Sequence, residues 1–201
     1  MKTLLLGGVV LALGLLPATA GAQTNGQKIA ISAFAVDMSN IGTGANAMVD
    51  ITIDSWSTAA ERERLITTML EKGADDLLRE LQKVPAKGRF RIPGLQGADP
   101  NQLRLGHDLR YTWQVPLPEG GRRIVIITDR YIGMREARTQ PRTMDYPFTL
   151  FEIRVNKDGE GEGKMAVATK VTFDKQNKQV ELENYSSEPV RLTNVRVKVK
   201  S

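Results

Sequence analysis

Alternation of apolar and polar residues with a period of two recurs along this chain, and short polar turns separate the alternating segments. In the last third it predicts four strands, at residues 148–155, 165–173, 180–185 and 190–199. Short turns join antiparallel neighbours, whereas a parallel pair needs a long crossover connection. The same reasoning predicts earlier strands at 28–35, 48–54, 108–117 and 122–129. The pattern therefore predicts a meander in the last third and argues against a doubly wound α/β fold.

One segment departs from this period. Thr58 and Glu61 have the spacing of a capping box, in which a hydroxyl and a carboxylate each bind a free backbone N–H group. Apolar residues at helical spacing follow, and Gly73 offers a left-handed C-cap before a shorter apolar helix that ends before Pro85. The first helix carries Leu65, Ile66, Met69 and Leu70, and the second carries Leu77, Leu78 and Leu81.

These elements predict the fold class. We expect α+β, mainly antiparallel β, with the sheet curled into a partial barrel or sandwich. The helical hairpin, at about residues 58–83, is inserted between strands and covers one side or end of the sheet. Ile124, Val125, Ile126 and Ile127 are apolar on both faces of their strand, which is typical of a central strand.

The N-terminal residues have the order of a secretory signal. Lys2 supplies a positive charge, residues 4–16 are apolar or Gly, and Pro17 precedes a small-residue cleavage site. We expect cleavage after Ala22, in preference to Ala20, which leaves 23–201 as a single β-rich domain. The chain has no Cys, which fits a bacterial exported protein that relies on core packing alone. The expected location is therefore the periplasm or the extracellular space.

Charge and hydropathy limit the partners. The chain has 28 basic and 23 acidic residues, and the two signs are interspersed. A net charge of +5 permits contact with an anionic envelope polymer or an acidic protein partner, but it does not indicate nucleic acid. No apolar run after the signal is long enough for a transmembrane helix.

Two patterns resemble ligand-binding loops, but their context favours turns. Residues 42–47 match G-x-G-x-x-A, yet strand-like residues follow where a dinucleotide site requires a helix. Asn156, Asp158, Glu160 and Glu162 alternate like the start of a calcium loop, but Val167 occupies the position that requires Glu. We expect hairpin turns at both places and no cofactor.

The residues that carry out acid–base or metal chemistry are sparse. His107 is the only histidine, so a multi-histidine zinc site is excluded, and no G-x-S-x-G motif supplies a nucleophile for a catalytic triad. Asp50 and Asp54 lie about 13 Å apart if they share a strand, beyond the roughly 5–9.5 Å of paired glycosidase carboxylates. The sequence therefore predicts no catalytic residue and no metal ligand.

Two groups of residues remain as binding candidates. The aromatic residues Trp56, Tyr111, Trp113, Tyr131 and Tyr146 suit sugar stacking or a cavity, although strand aromatics are more often core. Residues 130–147 read as a long connection or as a connection that includes a strand over 131–137. This segment contains four arginines, whose planar guanidinium groups suit carboxylates and phosphates. The predicted anion or partner site consists of Arg130, Arg135, Arg138 and Arg142.

Three functions remain open at this point. The preferred one is a non-catalytic binding or interaction domain of the bacterial cell envelope. The alternatives are a carrier of an apolar ligand held in the curled sheet, with the helices as a lid, and a hydrolase that uses two carboxylates. A dry cavity in the structure favours the carrier, and two acids facing each other in a cleft favour the hydrolase.

Overall fold

A computed structural model of the chain describes residues 27–36, 46–93, 106–130, 132, 148–167, 171–174, 179–182 and 190–200. Its helices are α1 (Ala59–Lys72) and α2 (Ala74–Lys83). Its strands are β1 (Ile29–Val36), β2 (Asn46–Ile53), β3 (Gly88–Arg91), β4 (His107–Pro116), β5 (Arg122–Thr128), β6 (Thr149–Val155), β7 (Glu160–Val167), β8 (Val171–Asp174), β9 (Gln179–Leu182) and β10 (Val190–Val199). The predicted signal at 1–22 lies outside the described residues.

Eight of these strands form a closed antiparallel barrel in the order β1-β10-β7-β6-β5-β4-β3-β2. The prediction of a mainly antiparallel β fold with a helical hairpin is thereby confirmed. The sheet is closed rather than a partial barrel or sandwich, because β1 pairs with β10 as well as with β2. The β1–β10 register runs from Ile29 opposite Val199 to Val36 opposite Arg191.

Side chains from alternate strand positions fill the barrel. An eight-stranded barrel has an interior just wide enough for side chains or for one small ligand. Here the interior contains large, fully buried residues from strands around the ring, among them Phe90, Phe151, Ile31, Ile124 and Met165. Phe90 and Phe151 contact each other with ring centroids 5.2 Å apart. As far as the described residues show, the interior is occupied by a packed hydrophobic core.

A bulge in β4 separates apolar residues that alternate in the sequence. Some of them face the barrel interior and others face the outside of the barrel. The β4–β5 register shifts between Leu109 and Tyr111. Leu109 packs in the barrel interior, whereas Tyr111 packs in a second cluster outside it. An extra residue in one strand exchanges inward and outward positions. Trp113 is also directed to the outer cluster.

The predicted meander holds only as far as the β6–β7 hairpin. The single strand expected at 165–173 is two strands, β7 and β8, and β7 begins within the turn that we expected at 156–163. β8 pairs with β9 in a separate two-stranded sheet, while β10 pairs with β7. The sequence pattern does not reveal the start of β7, because Gly161 and Gly163 have no side chain that could alternate with the polar residues. A Cβ atom at Gly161 would collide with the Arg154 carbonyl oxygen.

The capping box at the start of α1 is confirmed. The Thr58 backbone N–H donates to Glu61 Oε2 at 2.8 Å, and the Glu61 N–H donates to Thr58 Oγ1 at 3.1 Å. Gly73 ends α1 and precedes α2, with its N–H donating to the Met69 carbonyl at 3.1 Å. Its φ of 85° is positive as expected, but its ψ of −170° is not that of a left-handed helical cap.

The two helices pack on the outer face of the barrel over β4, β5 and β6. Leu65 of α1 and Leu77 and Leu81 of α2 form one buried cluster with Tyr111, Ile127, Phe148 and Leu150. This explains why β5 is apolar on both faces, since Ile124 and Ile126 face the interior while Val125 and Ile127 face the helices. The predicted stripe of α1 is partly wrong: Leu70 is 44% exposed, and Thr68 is buried. No helix in the described part of the chain has the length and apolar character to cross a membrane.

Candidate functional site

A cleft of about 160 Å³ lies between α1 and the outer face of the barrel. Its floor consists of outward-facing residues of β4, β5 and β6, and its roof is the apolar side of α1. It is lined by Arg62, Leu65, Ile66, Met69, Leu77, Tyr111, Trp113, Val115, Arg123, Val125, Ile127, Phe148 and Leu150. The lining is thus mostly aliphatic and aromatic, with a phenol and two guanidinium groups.

Strand register sets the floor of the cleft. Tyr111, Trp113 and Val115 of β4 lie opposite Ile127, Val125 and Arg123 of β5. Because residues two apart point to the same face of a strand, both rows project outward from the barrel. Without the β4 bulge, Tyr111 would instead share the inward face with Leu109. The bulge therefore places Tyr111 and Trp113 on the floor of the cleft.

The polar groups of this otherwise apolar lining are the Tyr111 hydroxyl and the guanidinium groups of Arg62 and Arg123. The Arg62 guanidinium stacks over the ring of Trp113, 5.3 Å from its centroid, and hydrogen-bonds to the Tyr111 side chain. Burial raises the pKa of Tyr111 above its usual range, and the charges of Arg62 and Arg123 only partly offset this rise. The phenol is therefore neutral at physiological pH.

Arg123 carries the second guanidinium group and belongs to β5, on the floor of the cleft, whereas Arg62 belongs to the α1 roof. Its side chain is half-buried, and among the residues that the structure describes it forms no ion pair within 4.0 Å. The neighbouring acid on the same outer face, Glu152, is bound by Arg154 through an Nε–Oε1 contact of 2.9 Å. Arg123 thus presents positive charge to the cleft that no described carboxylate neutralises at contact distance.

A nearly buried ion pair fixes the start of α1 on the barrel. Lys87 Nζ donates to both carboxylate oxygens of Glu61, at 2.9 and 3.0 Å. Burial by itself would raise the pKa of Glu61, but the Lys87 contact and the hydrogen bonds with Thr58 outweigh it and lower that pKa. The N-terminal end of the cleft roof is therefore anchored, and Arg62 is positioned next to that anchor.

The carboxylates that come together elsewhere are bound by an arginine. Arg110 contacts Asp108 at 3.2 Å through Nη2 and Asp129 at 2.9 Å through Nε, and its Nη1 donates to the Val84 carbonyl at 3.0 Å. This network joins β4, β5 and the end of α2. Both carboxylates are thus ion-paired with one arginine, which links them to the residue that follows α2.

His107 lies beside this network at the start of β4. It is half-buried and stacks with Phe90, with ring centroids 6.4 Å apart. Burial lowers the pKa of His107 and the charge of Arg130 lowers it further, while Asp129 and Asp108 act in the opposite direction. His107 is therefore the first residue of a strand and packs against a core aromatic ring.

The two loop-like motifs have the context of turns as far as the structure describes them. Asn156 Oδ1 accepts from the N–H groups of Asp158 and Glu160 at 2.9 and 3.0 Å, which closes the β6–β7 hairpin. Residues 42–45 lie outside the described part of the chain, and Asn46 and Ala47 already belong to β2. Among the described residues, no group of three or more His, Cys, Asp or Glu is arranged to hold a metal ion.

The predicted arginine site is described only at its start. Arg130 is exposed and its Nε lies 3.5 Å from Asp129 Oδ1. Ile132 packs in the barrel core, and its N–H donates to Thr149 Oγ1 at 2.8 Å. Arg135, Arg138 and Arg142 lie outside the described residues, as does most of the strand considered at 131–137. The anion site at residues 130–142 therefore stays a prediction.

The other predicted candidates have separate positions. Trp56 belongs to the core, where its Nε1 donates to the Gln27 carbonyl at 3.1 Å, while Tyr111 and Trp113 line the cleft. Tyr131 and Tyr146 lie outside the described residues, and Asp50 and Asp54 are both exposed. Sequence reasoning missed Arg62 and Arg123. The two-sided apolar pattern of β5 was the available signal, because it requires a cover on the outer face.

Comparison of the chain with models of protein families, with curated proteins and with solved structures gives no match. The cleft itself therefore carries the functional argument.

Proposed function

We propose that this chain is an exported binding protein of the bacterial cell envelope, without catalytic activity, and that the cleft between α1 and the barrel is its ligand site. The observation that carries the proposal is the lining of the cleft, which combines aliphatic and aromatic side chains with a few convergent polar groups. That combination is typical of small-molecule sites. The described residues of the barrel interior form a packed core, which favours a ligand site on the outer face over one inside the sheet.

The size of the cleft limits the ligand. Drug-sized ligands occupy pockets of roughly 300–1,000 Å³, whereas a dry engineered cavity of about 150 Å³ binds benzene. A cleft of about 160 Å³ therefore suits one ring or one short alkyl chain. The area of such a ligand limits its affinity to the weak range, which fits a carrier that must also release its load.

A volume-filling substitution tests the site. Val125 projects into the cleft from β5, and Val125→Phe is expected to occupy the space of the ligand. The matched control is Val36→Phe, because Val36 is a half-buried residue of β1, which is four strands away from β5 around the ring. Binding of 1-octanol and of octanoate to residues 23–201 is measured by isothermal titration calorimetry.

We expect both probes to bind the parent, Val125→Phe to weaken both by about tenfold or more, and Val36→Phe to retain parent affinity. Equal binding to the two variants places the probes elsewhere and contradicts the proposal. The export part is tested separately: mass spectrometry of the exported protein is expected to give an N-terminus at Gln23, and secondarily at Gly21. An intact Met1 on protein recovered from the envelope contradicts it.

A further inference from the structure

The cleft combines an apolar lining with two cations, and this combination specifies a ligand more narrowly than apolarity does. Arg62 reaches the cleft from α1 and Arg123 reaches it from β5. Two guanidinium groups in one small cleft repel each other, and an anion between them would relieve that repulsion. A purely apolar ligand would leave Arg123 partly desolvated without such compensation.

Two acids near the cleft, Glu61 and Glu152, are bound by cations other than Arg62 and Arg123. Glu61 is held by Lys87 at 2.9 Å, and Glu152 is held by Arg154 at 2.9 Å. Arg123 has no ion pair among the described residues. Arg62 contacts the face of Trp113 and the Tyr111 side chain, so its guanidinium is held in the cleft rather than extended into water.

We propose that the ligand of this cleft is a small anionic amphiphile, a monocarboxylate with one short alkyl chain or one ring, whose carboxylate is bound between Arg62 and Arg123. The inference rests on the proposed function and adds the charge and class of the ligand. Guanidinium groups match carboxylates geometrically, and Tyr111 offers a neutral hydroxyl beside them. The apolar portion would lie against Trp113, Val125 and Met69, which line the same cleft.

The volume of the cleft favours this ligand over a membrane lipid. At about 160 Å³ the cleft is close to the cavity of about 150 Å³ that holds a single benzene ring. Two acyl chains of a phospholipid exceed that volume several times. Because the cleft is too small for a phospholipid, we expect binding of octanoate in titration and no sedimentation with anionic vesicles.

The test compares three probes of equal chain length but different charge. Octanoate, 1-octanol and octylammonium are titrated into the parent chain, into Arg123→Gln and into Arg196→Gln. Arg196 is the matched control, because it is an exposed arginine on β10, outside the cleft, and its substitution removes the same charge. Sedimentation with vesicles of anionic phospholipid forms a further arm.

We expect octanoate to bind the parent about tenfold or more tightly than 1-octanol, since a hydrogen bond to a charged group is stronger than a neutral one. Octylammonium is expected to bind most weakly. Arg123→Gln is expected to reduce octanoate affinity markedly towards that of 1-octanol, with Arg62 left as the single guanidinium in the cleft, and to affect 1-octanol affinity much less. Arg196→Gln is expected to match the parent with every probe.

The outcomes separate the two proposals. If 1-octanol and octanoate bind equally, and Val125→Phe weakens both, the cleft is an apolar site and the anionic selectivity is wrong. If no probe binds, both the selectivity and the proposed function are wrong. Sedimentation with vesicles without octanoate binding contradicts the monocarboxylate assignment in favour of a lipid surface.

Discussion

Leu65 anchors α1 over the cleft, and truncating it tests whether the helices are packed on the barrel as described. The side chain is 4% exposed and contacts the outer cluster of Tyr111, Ile127 and Leu150. Leu65→Ala removes three carbons, and at about 0.8 kcal/mol per buried methylene the transfer loss is about 2.4 kcal/mol. Residue 65 borders an open cleft, so the deletion enlarges that cleft rather than creating a sealed void, and the added cavity cost is small. The expected loss is about 2–3 kcal/mol.

Leu70→Ala is the matched control, because it makes the same change on the same helix at a side chain that is 44% exposed. Its expected effect is within about 0.5 kcal/mol. Both variants are measured by urea denaturation and by thermal melting. For a domain of this size a loss of 2–3 kcal/mol corresponds to a decrease in Tm of about 4–12 °C. Equal stability of the two variants would refute the packing of α1 on the barrel.

The N-cap of α1, His107 and the predicted arginine segment each allow one further test. Thr58→Ala removes the cap of α1 and should cost about 1 kcal/mol in urea denaturation, whereas Thr67→Ala, at an exposed position of the same helix, should be nearly neutral. Because the pKa of His107 is lowered in the folded protein, the unfolded state binds more protons below pH 6.5. The free energy of unfolding should therefore decrease as the pH falls below 6.5, and it should decrease less in His107→Asn. Identical pH profiles of the two chains would be inconsistent with this. Replacing Arg135 and Arg138 together with Gln should weaken salt-sensitive binding to an anionic envelope polymer at nearly unchanged stability, and unaltered binding would exclude that segment as an anion site.

Local patterns predicted the elements well where one signal was sufficient. The Thr58–Glu61 spacing predicted the start of α1, and the continuous apolar run of β5 predicted a strand covered on both faces. Both signals act within a few residues, so the chain sequence contains them completely. The helical hairpin could therefore be located to within a residue or two of α1 and α2.

Long-range pairing could not be predicted in the same way. Closure of the barrel depends on β1 meeting β10, and no local pattern specifies which strands form the two edges of a sheet. The bulge between Leu109 and Tyr111 shifts the register by one residue and moves the aromatic side chains to the outer face. Arg62 and Arg123 are distant in sequence and meet only because the helices fold onto that face. The cleft therefore depends on tertiary structure that the sequence pattern does not show.

The most direct test of the ligand site uses the two tryptophans of the chain. Trp113 lines the cleft, whereas Trp56 is buried in the core and donates its indole N–H to the Gln27 carbonyl. In a ¹H–¹⁵N correlation spectrum each indole gives its own signal, and octanoate is titrated into the ¹⁵N-labelled protein. We expect the Trp113 indole signal to shift with saturation while the Trp56 signal stays in place. A shift of the Trp56 signal alone, or no saturable shift of Trp113, would contradict the assignment of the cleft as the binding site.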